Sequence, residues 1–313
     1  MLNEKYAIHP ELKDQSSYQL SEFYMTRLGS NIYNLYAVLN CLFVKKPAEI
    51  RSKKYWFKGY KKYAISASVY EPVNVDAKVP VLVYYHGGGF ALKATAITHD
   101  LAMRYALGAK CKVVVVNYRT SANHLFPIPV EDCYEGAKWV YEHAETLGID
   151  RERIGLAGDS AGGALAACVA QMLRDRKIFT PKFQVLIYPV IDERLNTQSM
   201  QDFDDTPFWN SKLNKRMWRL YLRSTDLTEQ LYSAPLMHDD LTNLPKAYIE
   251  VAEFDSLRDE GELYADKLRK SDVEVALNKI IGAYHEFDIF QDKEIVKDVM
   301  KERIKFLISG FSD

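Results

Sequence analysis

The stretch Ile154-Gly155-Leu156-Ala157-Gly158-Asp159-Ser160-Ala161-Gly162-Gly163-Ala164 decides the fold. Its first four residues form a short apolar run of strand type, and the small residues from Ala161 onward suit a helix. Glycines two positions before and after Ser160 permit a sharp strand-to-helix turn. At such a turn the serine takes strained backbone angles and its hydroxyl projects above the sheet edge. The helix start adds free N–H groups and a positive dipole end beside that oxygen. A serine held in this way is a candidate nucleophile.

Outward from this turn the chain alternates strand and helix. Apolar runs at 81–85, 113–116, 154–157, 185–188 and 248–251 lack in–out alternation. They predict strands covered on both faces and hence a parallel sheet. A last strand is expected at 273–280, and helices at 98–109, 130–147, 161–175, 259–270 and 292–309. Residues 63–70 alternate Ile65, Ala67 and Val69 with Ser66, Ser68 and Tyr70, the pattern of an antiparallel strand buried on one face. Two long segments stand outside the alternation. Residues 1–50 read as helical, with Leu20, Phe23, Tyr24, Leu28, Ile32, Leu35, Tyr36 and Leu39 mostly three or four apart. Between Pro189 and Pro245 there is no strand signal, but 208–222 is aromatic, basic and helical in pattern. The expected organisation is a catalytic domain at 51–191 and 233–313, with a helical cap built from 1–50 and an insertion at 192–232.

A nucleophilic serine needs a base, an orienting acid and donors for the developing oxyanion. His86-Gly87-Gly88-Gly89 follows the run 81–85, and consecutive glycines let backbone N–H groups face a reacting carbonyl. The expected oxyanion donors are the N–H groups of Gly87, Gly88 and Ala161. Of seven histidines, His285 follows the last expected strand, and Asp255 follows the run 248–251. The order Ser160, Asp255, His285 is the nucleophile–acid–base order of α/β-hydrolases. Glu253 is the rival acid, whereas Asp259 reads as a first-turn helix acid. His86 is expected to brace the glycine loop, and His99 and His124 to serve loop structure. Asp159 is expected to bond nearby backbone.

These motifs together resemble the hormone-sensitive-lipase-like family of α/β-hydrolase esterases over most of residues 63–313. The resemblance is carried by His86-Gly87-Gly88-Gly89, the Gly158-to-Gly163 turn, the 255–260 segment and His285-Glu286-Phe287. Asn117-Tyr118-Arg119, His124-Leu125-Phe126-Pro127 and Thr98-His99-Asp100 match as well. It implies an α/β-hydrolase fold: a mostly parallel eight-stranded sheet flanked by helices, under a lid made of N-terminal helices and an insertion after the sixth strand. It also implies no cofactor and activity on short- to medium-chain acyl esters. The chain departs from the family at Lys93, where glycine is usual, and at Ser121-Ala122-Asn123, where Ala-Pro-Glu is usual. A receptor-like member that has lost its histidine is set aside, because His285 is present.

The remaining features bound the reading. The 313 residues carry a net charge of −1, which gives no bulk footprint for nucleic acid. Neither a phosphate-binding glycine motif nor an H-E-x-x-H metal pair occurs, and no metal is expected. Cys41, Cys111, Cys133 and Cys168 form no C-x-x-C pair and read as buried apolar fillers of a reduced compartment. The first 17 residues do not read as a secretory signal, and the longest apolar stretches, 32–44 and 161–173, fall short of the about 20 residues a spanning helix needs. A cytoplasmic location without stable membrane insertion is expected. Residues 45–62 hold eight cations against Glu49, with four aromatics interleaved. A solvated face is the default reading there, and a membrane-surface or acidic-ligand role the alternative. Phe90, Phe208 and Trp209 are candidate substrate contacts. The expected partner is a small-molecule ester, and a homodimer is allowed for. The competing functions are an amidase or deacetylase of acylated sugars or aromatic amides, and a non-catalytic ligand-binding module on the same fold.

Overall fold

Eight strands, β1 (Ile50–Lys58), β2 (Ala64–Pro72), β3 (Val79–Tyr85), β4 (Lys112–Asn117), β5 (Ile149–Asp159), β6 (Phe183–Ile187), β7 (Lys246–Phe254) and β8 (Val275–Tyr284), form one sheet in the computed structural model. The structure describes residues 5–75, 78–222 and 231–312. Strand order is β1-β2-β4-β3-β5-β6-β7-β8. The β1–β2 and β2–β4 pairs are antiparallel, and every other neighbouring pair is parallel. The continuous apolar runs are these inner strands: β3 and β6 are buried at every position, as strands covered on both faces must be.

The covering layers are helical. α1 (Arg27–Cys41) belongs to the N-terminal segment. It is followed by α2 (Ala96–Ala109), α3 (Ile128–Glu142), α4 (Ala161–Asp175), α5 (Ser211–Leu222), α6 (Arg258–Lys270) and α7 (Glu294–Ser312). The buried apolar residues divide into two clusters, one with α3, α4 and α6 and the other with α2 and α7. The expected helix at 130–147 ends at Glu142, and a separate turn, Ala144–Leu147, follows.

Two expectations are corrected. Residues 45–62 contain the edge strand β1, which the charge pattern conceals: only Ile50 and Phe57 are buried along it, while Arg51, Lys53, Lys54 and Lys58 are exposed. Charged side chains on an edge strand discourage pairing with another chain. From residue 6 to residue 50 the described chain is not a run of α-helices. Among the described residues, two 3₁₀ turns, Pro10–Gln15 and Glu22–Met25, precede α1, which Thr26 caps by accepting from the Gly29 N–H at 3.1 Å. α1 is also turned inside out. Gly29, Ser30, Asn34 and Ala37 are its buried positions, and Leu28, Ile32, Leu35 and Leu39 are exposed.

The N-terminal segment meets the residues after β6. The Phe208 N–H donates to Tyr18 O at 2.9 Å and the Leu20 N–H to Phe208 O at 3.3 Å. Gln19 donates to Asp205 O at 2.7 Å, and Arg216 pairs with Glu22. Of the expected cap insertion 192–232, residues 223–230 lie outside the described residues, as do 1–4 of the expected N-terminal part and 76–77 and 313 of the expected catalytic part.

Candidate active site

Ser160 sits between β5 and α4 with φ 54° and ψ −121°, backbone angles that a residue bearing a Cβ rarely adopts. The turn closes because its neighbours lack side chains. A Cβ on Gly158 would stand 2.2 Å from Gly162 O, and one on Gly162 would stand 2.0 Å from Tyr85 O. The Ser160 N–H donates to Ile187 O at 2.8 Å, which ties the turn to the end of β6.

His285 leaves the end of β8 and Asp255 the end of β7, and the parallel pairing of these strands brings them to one sheet edge. His285 Nε2 lies 2.9 Å from Ser160 Oγ, and His285 Nδ1 lies 2.7 Å from Asp255 Oδ2. The other oxygen of Asp255 accepts from the Leu257 N–H at 3.0 Å. All three side chains are buried. Burial pulls the His285 pKa down, but the Asp255 charge and hydrogen bond outweigh it, and the net shift is upward. The rival Glu253 points elsewhere, accepting from the Gly282 N–H at 2.7 Å. Asp259 lies in the first turn of α6 and accepts from the Ser199 N–H at 2.7 Å.

The glycine loop is held from below. The Tyr118 hydroxyl donates to His86 O at 2.9 Å, its ring stacks on the His86 ring at 4.3 Å, and His86 Nδ1 lies 2.8 Å from Gly87 O. Burial pushes the His86 pKa down to about 4, so the ring is neutral at neutral pH. Next in the chain, Arg119 forks onto both oxygens of fully buried Asp132 at 2.7 and 2.8 Å, and Asp132 also takes the Tyr60 N–H at 2.9 Å. His99 accepts or donates a 2.8 Å bond with the Tyr70 hydroxyl.

The expected oxyanion donors need one correction. The Gly87 N–H already donates to Asp159 Oδ2 at 3.0 Å, so it does not face a substrate. Asp159 is held there by the Tyr84 hydroxyl at 2.6 Å. Among the described residues no acceptor meets the N–H groups of Gly88, Gly89 or Ala161. Gly88 at φ 98° and Gly89 at φ 58° occupy the left-handed backbone region that glycine tolerates. Gly89 therefore replaces Gly87 among the candidate donors.

A cavity of about 310 Å³ opens beside this loop, with Gly87, Gly88, Asp159, Tyr188 and Trp209 in its wall. That volume lies at the small end of ligand sites. Phe208, Trp209 and Tyr33 line it. Phe90 does not: it is 1% exposed and stacks on Tyr221 at 4.0 Å, inside the packing beneath α5. Sequence reading missed Glu286. It follows His285, holds φ 61°, and lines the cavity with Lys93. Burial pushes its carboxyl up to about 7, against the pull of His285. Behind the site, Arg303 of α7 is fully buried and pairs with Glu250 of β7 and with Asp288, which also accepts from the Tyr188 hydroxyl at 2.6 Å. The four cysteines are free thiols; Cys111, Cys133 and Cys168 are buried and Cys41 is half-buried.

Comparison with known proteins places these observations in a lineage. The family described as alpha/beta hydrolase fold matches residues 82–289. A carboxylesterase of Mycobacterium tuberculosis, NlhH, is 37% identical over 218 residues, 68% of this chain and 68% of that protein. An arylesterase of Saccharolobus solfataricus is 32% identical over 227 residues, 72% of this chain and 73% of that protein. Among solved structures, a bacterial heroin esterase superposes with a TM-score of 0.89 at 32% identity, covering 97% of this chain and 98% of the other.

Proposed function

Because the chain belongs to the α/β-hydrolase fold family of hormone-sensitive-lipase-like enzymes, we propose that it is a serine carboxylic-ester hydrolase acting on short- to medium-chain acyl esters through Ser160, His285 and Asp255. The observation that carries the reading is the buried chain of contacts from Asp255 to His285 to Ser160, at 2.7 and 2.9 Å.

Ser160 Oγ attacks the acyl carbon as its proton passes to His285 Nε2. Asp255 holds the ring in the tautomer that leaves Nε2 free to accept, and stabilises the imidazolium that forms. The N–H groups of Gly88, Gly89 and Ala161 take the oxyanion; losing one such donor typically lowers the rate about 100- to 1,000-fold. As the tetrahedral intermediate collapses, His285 returns the proton to the leaving alcohol oxygen. Water then attacks the acyl-enzyme, His285 takes one of its protons, and Ser160 departs with that proton as the carboxylic acid is released. Phe208, Trp209 and Tyr33 form the apolar wall for the bound ester.

The test is hydrolysis of a soluble nitrophenyl ester by the wild-type chain, with Ser160→Ala as blank, alongside a matched anilide and covalent labelling by a serine-directed phosphonate. Ester turnover and labelling that both vanish in Ser160→Ala are expected. Faster cleavage of the anilide would point to an amidase, and absence of both turnover and labelling to a non-catalytic binding module.

A further inference from the structure

α1 presents to solvent the kind of face that a surface helix ordinarily turns inward. Leu28, Ile32, Leu35, Leu39, Leu42 and Phe43 recur at helical spacing along the helix and its first residues beyond, and are 65%, 53%, 64%, 50%, 74% and 81% exposed. The opposite face is fixed to the protein. Asn34 donates to Ala91 O at 3.0 Å and accepts from the Lys93 N–H at 2.7 Å, and the small residues Gly29, Ser30 and Ala37 are buried beside it. The orientation is therefore set by buried hydrogen bonds, and the apolar stripe is a product of that anchoring. A contiguous exposed apolar patch of this kind marks an interaction surface.

The charge around the stripe selects the partner. From Arg27 to Lys46 there is no acidic residue. Immediately beyond Phe43 stand Lys45 and Lys46, both exposed, and β1 adds exposed Arg51, Lys53, Lys54 and Lys58. Cys41, the last residue of α1, donates to Ala94 O at 3.5 Å just before α2, and His99 of α2 bonds the hydroxyl of Tyr70, whose partner across the sheet is Ser52 of β1; these contacts bring the end of α1 near the β1 edge. Trp56, 66% exposed, stands in that edge between Lys54 and Lys58. An apolar helix face rimmed by cations, with tryptophan beside it, matches the headgroup–acyl boundary of an anionic bilayer. A second copy meeting this face would bring like charges together. No helix among the described residues is long and apolar enough to cross a membrane.

We propose that α1, with Lys45, Lys46 and the β1 edge, is a docking surface for an anionic lipid membrane, the helix lying flat in the interface. Tyr33 and Lys93, on and against this helix, line the cavity, so docking brings the cavity next to the bilayer surface.

Co-sedimentation of the full chain with vesicles of phosphatidylcholine alone, or of phosphatidylcholine mixed with phosphatidylglycerol, tests this. Binding is expected only to the anionic vesicles, and it should weaken as salt rises. Lys45→Gln/Lys46→Gln should bind about 30-fold more weakly, and Leu35→Glu/Leu39→Glu should lose binding while turning over a soluble short ester normally. The lysine pair is exposed, so it keeps the test open if the leucine variant does not fold. Equal binding to neutral vesicles, no binding to either, or indifference to the lysine substitutions overturns the proposal. So does a concentration-dependent dimer that Leu35→Glu/Leu39→Glu dissociates, which would identify the occupant as a second copy.

Discussion

At Gly87 a Cβ would lie 2.3 Å from Asp159 Oδ2, and that contact explains what could be read from the residues and what could not. The glycine run and the serine turn are visible as local spacings. Which N–H in the run is free depends on a carboxylate at the end of β5, and no local spacing records that. The acid and base are legible because each follows a strand; Glu253 is discriminated only by the Gly282 N–H it meets. Ser160→Ala should remove nearly all ester turnover at a stability cost of only about 0.5–1.5 kcal/mol, the net worth of the buried Ser160–His285 hydrogen bond. Asp255→Asn should lower kcat about 10,000-fold, because the amide favours the wrong histidine tautomer, whereas Glu253→Gln should leave the pH profile in place. Steady-state kinetics on all three variants decides between the acids. The acid limb of kcat/KM should have its midpoint above the ordinary histidine value of about 6.5, because Asp255 favours the protonated, inactive ring over burial's opposite pull. Activity therefore disappears as pH falls through that raised value. Burial pushes the Glu286 carboxyl up to about 7, so its ionisation should broaden the limb beyond that of a single group. Glu286→Gln removes a negative charge beside His285, which should narrow the limb and move it to lower pH; a limb unmoved in this variant would refute the coupling.

At the scale of elements, the inner strands are legible because burial on both faces leaves continuous apolar runs, as in β3. β1 is not, since an edge strand with one neighbour carries charge where an inner strand carries valine. α1 has the right period and the wrong face. Periodicity identifies a stripe, but only the hydrogen bonds of Asn34 determine which way it turns. Both departures from the family pattern touch this helix: the Lys93 N–H meets Asn34, and Asn123 bonds Asn31 at 2.7 Å. The loop after Gly88 and Gly89 is thus fitted to α1. Asn34→Ala leaves Ala91 O and the Lys93 N–H without their buried partner, a loss of about 1–3 kcal/mol. It should also lower kcat, because the loosened loop continues from Gly88 and Gly89; a melting curve and ester kinetics on the same variant check both effects. Removing the buried guanidinium with Arg303→Met strands Glu250 and Asp288 between α7 and β7, and should lower unfolding free energy by about 3–5 kcal/mol in a denaturant titration.

For the whole molecule, the segments before β1 and after β6 meet through Tyr18, Leu20 and Phe208, and the proposed reading makes them the limit on what enters. Trp209 stands over the site with its ring 5.9 Å from His285, and Phe208 stacks on Tyr284 at 5.8 Å. An apolar pocket gains about 0.8 kcal/mol per buried methylene until it is full, and each further carbon then displaces packed side chains at about 1–3 kcal/mol. The cavity of about 310 Å³ is walled by Asp159 and Glu286, the chain neighbours of Ser160 and His285, rather than by the two themselves; with the acyl chain seated there, kcat/KM over nitrophenyl esters from acetate to palmitate should peak at about two to six acyl carbons. A maximum on the longest chains would indicate an open groove instead. The four thiols have a further use. Burial pushes Cys111 up to about 12 and holds Cys133 and Cys168 above their ordinary range too, while Cys41 is only half-covered. A thiol both protonated and sheltered does not meet an alkylating reagent until its surroundings open. The molecule thus carries its own clock: one sulfhydryl on the α1 side timing movement of the N-terminal helix, and three within the body timing the opening of the sheet and its helices.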